Sequence, residues 1–139
     1  MKVFLDANIL FSGSAPDSQI AKLLAVIQQH GSCVTNPYAI EEARKNLELK
    51  KFGSLEGLES LLEEITVSNK LILNLPVELK SKDLPILGGA LAQKCTHLLT
   101  GDKKDFGFLF GQEVMGVKVV SPKLLAEEMA ASGLLKKKQ

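Results

Sequence analysis

Cysteine, net charge and long apolar runs are all scarce in this 139-residue sequence, and each scarcity excludes something. The two cysteines, Cys33 and Cys95, sit inside apolar runs with no metal-ligand spacing and no cysteine partner nearby. They read as buried free thiols of a reducing compartment. The formal net charge is only +1, so no global basic field announces nucleic acid. No apolar stretch approaches the length of a membrane span, and a charge already at residue 6 predicts no signal peptide. These absences predict a cytoplasmic protein with no membrane partner. The two histidines, His30 and His97, fall at a predicted helix end and a predicted strand start. Neither joins a serine or cysteine in a nucleophile–base arrangement, which argues against a serine or cysteine hydrolase.

What is present is an ordinary globular composition, 45% hydrophobic and 24% charged. The length predicts one domain with a real core, over residues 1–131, followed by a basic tail at 132–139. Lysines cluster locally at Lys50-Lys51, Lys80/Lys82, Lys103-Lys104 and Lys136-Lys137-Lys138. Each cluster reads first as solvated surface, although a local cluster suffices for phosphate contacts.

Short apolar strands alternate with amphipathic helices. Strands are predicted at 2–5, 32–35 ("SCVT"), 71–76 ("LILNLP"), 96–100 ("THLLT") and 117–121 ("VKVVS"). "FSGSAP" reads as a loop, and Asp17 as the cap of a helix over 18–30 with Ile20, Leu23, Leu24 and Ile27 on one face. Gly31 is a natural stop for it. Asn36-Pro37 opens a helix over 37–51 with Ile40, Ala43 and Leu47 inward, and Ser54 caps another at about 55–65. Asp83 precedes a helix that tolerates Pro85 in its first turn. Gly88-Gly89 inside that helix implies close packing on the sheet, since each glycine costs about 1 kcal/mol relative to alanine. Ser121-Pro122 opens a last helix with Leu124, Leu125 and Met129, and "LLKKKQ" is expected to fray. Apolar strands without alternation are those with both faces covered, so the fold class is α/β with a mainly parallel central sheet.

In such sheets, sites form beyond the carboxyl ends of strands. The residues falling there are acids. In "VFLDANIL" Asp6 ends the apolar strand of Val3, Phe4 and Leu5, where a charge is costly unless it is paired. Asp102 follows "HLLT", Asp105 lies three residues on, Asp83 stands at a helix N-terminus, and Glu41 and Glu42 lie in the second turn of the helix leaving the second strand. Asp83 alone reads as a helix cap, Asp102 alone as a turn residue, and the glutamates alone as solvated charges. Together, four or five carboxylates do not stay ionised without a cation. Oxygen-only ligands select Mg²⁺ or Mn²⁺, and such ions assist phosphodiester hydrolysis. Lys103 and Lys104 directly follow Asp102 and are the expected RNA-binding cations beside the pocket.

The stretches "VFLDANILFSG", "AIEEARKNL", "KDLPILGGALAQKCTHLLTGDKKDF" and "VVSPKLLAEEM" together resemble the PIN-domain family of ribonucleases, which includes the toxins of VapC-type toxin–antitoxin pairs. The resemblance runs over about residues 2–130. It implies a three-layer α/β/α fold, an acidic Mg²⁺/Mn²⁺ pocket and cleavage of single-stranded RNA. It matches Asp6, Glu42, Asp83 and Asp102 to the catalytic acids, with Asp6, Asp83 and Asp102 on the metal and Asp105 adding a further or second-metal contact. Asn8 and Thr100 match polar positions that orient the first and fourth acids. Glu41 rivals Glu42, which lies slightly nearer the apolar face of its helix. The resemblance also implies a homodimer and a small antitoxin partner. Residues 52–75 depart from the shortest toxins, which leaves toxin and housekeeping nuclease both open.

Two rivals stand beside this reading. Aspartate-nucleophile phosphatases also begin on a strand ending in aspartate, but need a second aspartate two residues later, where Asn8 stands. A non-catalytic RNA- or partner-binding module on the same fold is the alternative from another class.

Overall fold

The computed structural model describes residues 1–50 and 53–135. The expected helix end at residue 51 and the basic run Lys136-Lys137-Lys138 lie outside these residues.

The first strand, β1 (Lys2–Leu5), is the centre of the molecule. Val3, Phe4 and Leu5 are completely buried, so both faces of the strand are covered. It pairs in parallel with β2 (Ser32–Thr35) on one side and β4 (His97–Leu99) on the other. Beyond them lie β3 (Thr66–Val67) and β6 (Val117–Val120), also parallel, and β5 (Glu113–Val114) pairs antiparallel with β6. The sheet order is β3-β2-β1-β4-β6-β5. Helices cover it: α2 (Gln19–His30) packs on β2, α5 (Leu84–Ala92) on β1 and β4, and α7 (Pro122–Ala131) on β6. A short α1 (Ala7–Gly13) packs against α2, α3 (Pro37–Leu49) and α4 (Leu55–Glu63). This is a PIN-like α/β/α sandwich with a mostly parallel sheet. No described helix is long and apolar enough to cross a membrane.

Local chemistry explains where the elements depart from expectation. "FSG" is not loop but the end of α1, because Asp6 caps a new helix at once and Ile9 and Leu10 bury their side chains. The cap of α2 is Ser18, whose hydroxyl accepts from the Ala21 N–H at 3.0 Å, and not Asp17. No strand forms at 71–76; the strand beside β2 is Thr66–Val67. The backbone of the later segment is instead satisfied by α5, the Ile72 N–H donating to the Gly88 carbonyl at 3.1 Å. A Cβ at Gly88 would overlap the Ile72 carbonyl, and one at Gly89 would lie 2.5 Å from Asn36 Nδ2, at the start of α3, and 3.0 Å from the Phe4 ring. One glycine therefore admits the irregular segment and the other admits the sheet. "GDKKDF" leads into a short helix, α6 (Lys103–Phe106), and a 3-10 turn (Gly107–Leu109). Leu134 and Leu135 do not fray: Gly133 closes α7 at φ +78°, the Leu134 N–H donates to the Met129 carbonyl, and both leucines pack on the core. Cys33 and Cys95 are buried free thiols, pushed up by burial to about 12 and about 11 respectively.

The β5–β6 hairpin turns on Met115 and Gly116, with φ of 49° and 89°. Positive φ at both positions is what a two-residue type I′ turn requires, and methionine is ill suited to it. Met115 is exposed, so no packing compensates. Met115→Asn is expected to stabilise the fold by about 0.5–1 kcal/mol, a rise of a few degrees in thermal melts. An unchanged or lower melting temperature would show that the methionine side chain itself contributes to the hairpin.

Candidate metal centre

The connection leaving β1 turns to β2, while β4 lies on its other side, so the strand order reverses between β1 and β4. A crevice opens at the carboxyl ends of two strands whose connections diverge in this way. Asp6 and Thr100 are the residues immediately after β1 and β4. A cleft of about 240 Å³ lies there, lined by Asp6, Asn8, Glu42, Lys82, Asp83 and Asp102, with Asn46 one turn beyond Glu42.

Each acid is placed by identifiable bonds. The Asp6 carboxylate accepts from its neighbour's N–H at Ala7 (2.6 Å), from the Thr100 hydroxyl (2.7 Å) and from Asn8 Nδ2 (3.2 Å). Asn8 Oδ1 in turn accepts from the Gly101 N–H at 2.8 Å. The Thr100 hydroxyl accepts from the Asp102 N–H at 3.1 Å, and Asp102 Oδ1 caps α6 by accepting from the Asp105 N–H at 3.0 Å. Asn36, the cap of α3, donates to the Pro85 carbonyl at 2.9 Å. That bond ties the start of the helix carrying Glu42 to the start of the helix that follows Asp83. Glu42 lines the cleft, whereas Glu41 pairs with Lys45 at 3.5 Å on the exposed face of α3.

Asp83 does not act as a cap. It occupies the N-cap position of α5 in a helical conformation (φ −96°, ψ −17°) and makes no side-chain capping bond. It is 5% exposed, and its Oδ2 is buried without a hydrogen-bond partner among the described residues. An orphaned buried carboxylate oxygen costs free energy unless a cation completes it. One oxygen from each of Asp83, Asp102 and Asp105 lies within 4.8 Å of the others, a spacing that suits a shared hard cation. Asp6 stands in the same cleft, with both oxygens already accepting from the protein.

Burial and mutual repulsion oppose the charged form of two of these acids. Burial, with some repulsion from Glu42 and Asp102, raises Asp6 despite the Thr100 and Ala7 hydrogen bonds. Burial also pushes Asp83 up to about 6; Asp105 and Asp6 add to the rise and Lys82 opposes it. Asp105 is held well below the usual carboxylate range by hydrogen bonds from Lys82 and Lys80. Lys103 and Lys104 are exposed on α6 and do not line the cleft. The sequence reading passed over Asn46 and Lys82 as lining residues. Asn46 carried a usable signal, four residues after Glu42 on one helix. Lys82 stood out only as half of the Lys80/Lys82 cluster, since an irregular loop presents it and no periodicity tells which way it faces.

At the other end of the sheet, His97 Nε2 meets Glu128 Oε2 at 2.6 Å, and the Thr96 hydroxyl lies 2.7 Å from His97 Nδ1. This row is structural. The Thr96 oxygen also bonds the Lys2 N–H and carbonyl, each at 3.0 Å, and Glu128 pairs with Lys118 at 2.9 Å.

A solved structure shares the fold. A chain of VapBC2 from Rickettsia felis, in a crystal structure with a DNA fragment from the promoter, superposes with a TM-score of 0.64 over 87% of this chain and 98% of that chain. The two sequences are 15% identical, so the likeness is one of fold. No family model matches the sequence. No curated protein matches it either.

Two outcomes follow from this geometry. Asp6→Ala removes an α1 cap that Asp6→Asn retains, so the alanine variant is expected to be less stable than the asparagine variant by about 1 kcal/mol. Equal melting temperatures would mean the capping bond contributes nothing. Asp83 holds its proton more tightly in the folded state than its ordinary value of 3.8 implies. Without metal it therefore destabilises the fold at neutral pH, and this penalty fades as pH falls through about 6 towards 4. Asp83→Asn is expected to gain about 1–3 kcal/mol at pH 7 and nothing near pH 4, one pKa unit being about 1.4 kcal/mol. Chemical denaturation in EDTA at both pH values measures this, and a loss of stability at pH 7 would contradict the strain assigned to Asp83.

Proposed function

We propose that this chain is a divalent-metal-dependent endoribonuclease that hydrolyses phosphodiester bonds of single-stranded RNA in the cleft between β1 and β4. The observation carrying this reading is the buried Asp83 carboxylate, whose Oδ2 has no hydrogen-bond partner among the described residues and which has an oxygen within 4.8 Å of one from Asp102. Sequence resemblance to PIN-domain ribonucleases and the fold shared with VapBC2 support it.

Asp83 and Asp102 would hold the ion, with Asp6 facing them from β1; the all-oxygen donor set fits Mg²⁺ or Mn²⁺. When bound, such an ion polarises a phosphoryl oxygen and lowers the pKa of water. The other groups position. Thr100 and Asn8 fix the rotamer of Asp6 through two donated hydrogen bonds, so that its carboxylate keeps one orientation through turnover. Glu42, on the α3 wall and open to solvent, orients the attacking water and accepts its proton. Lys103 and Lys104, exposed just past Asp102, meet outer phosphates of the strand. We place a small antitoxin-like protein and a second copy of the chain among its partners, on the strength of the resemblance and of the VapBC2 fold.

Cleavage of single-stranded RNA is expected to stop in EDTA and to return with Mg²⁺ or Mn²⁺. Ca²⁺ is expected to bind with little turnover, because its looser coordination suits the chemistry poorly. Asp83→Asn and Asp102→Asn are each expected to lower the rate by about a hundredfold or more, the scale of a group acting on the reacting atoms. Full cleavage in EDTA, or undiminished cleavage by both variants, would overturn the proposal.

A further inference from the structure

We propose that Asp105 is a positioning residue rather than a metal ligand, and that it holds Lys80 and Lys82 as a two-pronged clamp for a nucleic-acid phosphate at the mouth of the cleft. The inference rests on the nuclease reading for its ligand and goes beyond it in assigning the clamp.

Both oxygens of Asp105 are occupied, and by different cations. Lys80 Nζ donates to Oδ1 at 2.9 Å and Lys82 Nζ to Oδ2 at 2.8 Å. The Asp105 side chain is only 6% exposed, whereas those of Lys80 and Lys82 are 57% and 52% exposed. The acid is thus covered by two ammonium groups that still face solvent. Two cations share one anion, so the pair retains a positive charge on its outer side. Surface lysine–carboxylate pairs contribute about 0–1 kcal/mol to stability, so a phosphate competes with Asp105 for either ammonium at little cost. Ligation of a divalent ion by Asp105 would bring that ion against both ammonium groups and displace at least one.

The placement relative to the acids is fixed. The Asp105 N–H is held by Asp102 Oδ1, so the anchor of the clamp is tied to an acid of the cleft. Lys82 lines the cleft and its Nζ lies 3.9 Å from Asp83 Oδ1. The Lys80 carbonyl accepts from the N–H groups of Asp83 and Leu84, at 2.9 and 3.2 Å, which anchors the otherwise irregular lysine loop to the start of α5. A phosphodiester strand whose scissile phosphate meets Asp83 and Asp102 needs cations for its neighbouring phosphate, and these two lysines stand there already oriented.

The test combines two readouts on folded full-length variants, Lys80→Ala/Lys82→Ala and Asp105→Asn. Binding of a short oligouridylate is measured in Ca²⁺ at several salt concentrations, and Mn²⁺ affinity is measured separately by calorimetry. The double lysine variant is expected to bind the oligouridylate at least about tenfold more weakly, with its salt slope lower by about 1.4 at roughly 0.7 per lost contact. Its Mn²⁺ affinity is expected to stay equal or to tighten. Asp105→Asn, which keeps its backbone bond to Asp102, is expected to keep Mn²⁺ affinity within about threefold while weakening the oligouridylate, whereas losing an outer support of a metal ligand costs about 10–100-fold. A tenfold or greater loss of Mn²⁺ affinity in Asp105→Asn would make Asp105 part of the metal site and overturn the assignment. Wild-type oligouridylate binding with an unchanged slope in the double variant would remove the clamp and leave the nuclease reading standing. No oligouridylate binding by the wild type would remove both.

Discussion

The hydroxyl of Thr100 holds the site together. It donates one hydrogen bond, to Asp6, and accepts from the Asp102 N–H and, at 3.4 Å, from Asn8 Nδ2. A hydroxyl has one proton and two lone pairs, so its bonding capacity is filled. Through it the ends of β1 and β4, paired in parallel, become one rigid ledge on which two acids stand. A side chain without the hydroxyl would leave the Asp6 carboxylate buried with one donor fewer, in a place where its charge is already opposed by desolvation.

The surroundings of the ledge divide into groups that repel and groups that neutralise. Asp6, Asp83 and Asp102 approach one another because the strands and α5 force them to, not because they attract. The fold bears that repulsion from the rest of its core, chiefly the fully buried β1, β4 and β6 side chains, each worth about 1.5–3 kcal/mol. Lys80 and Lys82 neutralise Asp105, and Lys82 also opposes part of the strain on Asp83. Burial therefore opposes the charged form of Asp6 and Asp83 inside the cleft, while Asp105 is held in its charged form by the two lysines.

Much of this was legible in the sequence. Parallel β1, β2, β4 and β6 follow from runs with no polar alternation, and α2, α3 and α7 from clean helical spacing with caps or proline at their starts. Asp6 and Asp102 could be placed because each ends such a run. What failed was short or irregular. The strand at 71–76 was misplaced because "LILNLP" is apolar on both faces, like a central strand, yet its backbone is satisfied by Gly88 of a helix. The β5 strand was missed because Met115-Gly116 lacks the asparagine or aspartate that marks a tight hairpin. Lys82 stood out only as half of the Lys80/Lys82 cluster, because no periodicity governs a loop and nothing local tells which way it faces, and a cap stayed open as a rival for Asp83 taken alone because sequence shows the position of a side chain but not whether its oxygens are used.

The central place of β1 also sets the order in which the cleft comes into being. Asp6 and Thr100 are 94 residues apart, and the strand between which they are shared can close only after α2 through α5 have been threaded past it. Contacts of such separation are the slow ones in folding. During synthesis, residues 2–5 therefore emerge first and wait for their second neighbour until the chain has grown past residue 99. The acids are harmless as separate residues on a growing chain. They share a crevice only where β1 and β4 are paired, so a copy ending before residue 97 has neither β4 nor Thr100 and Asp102.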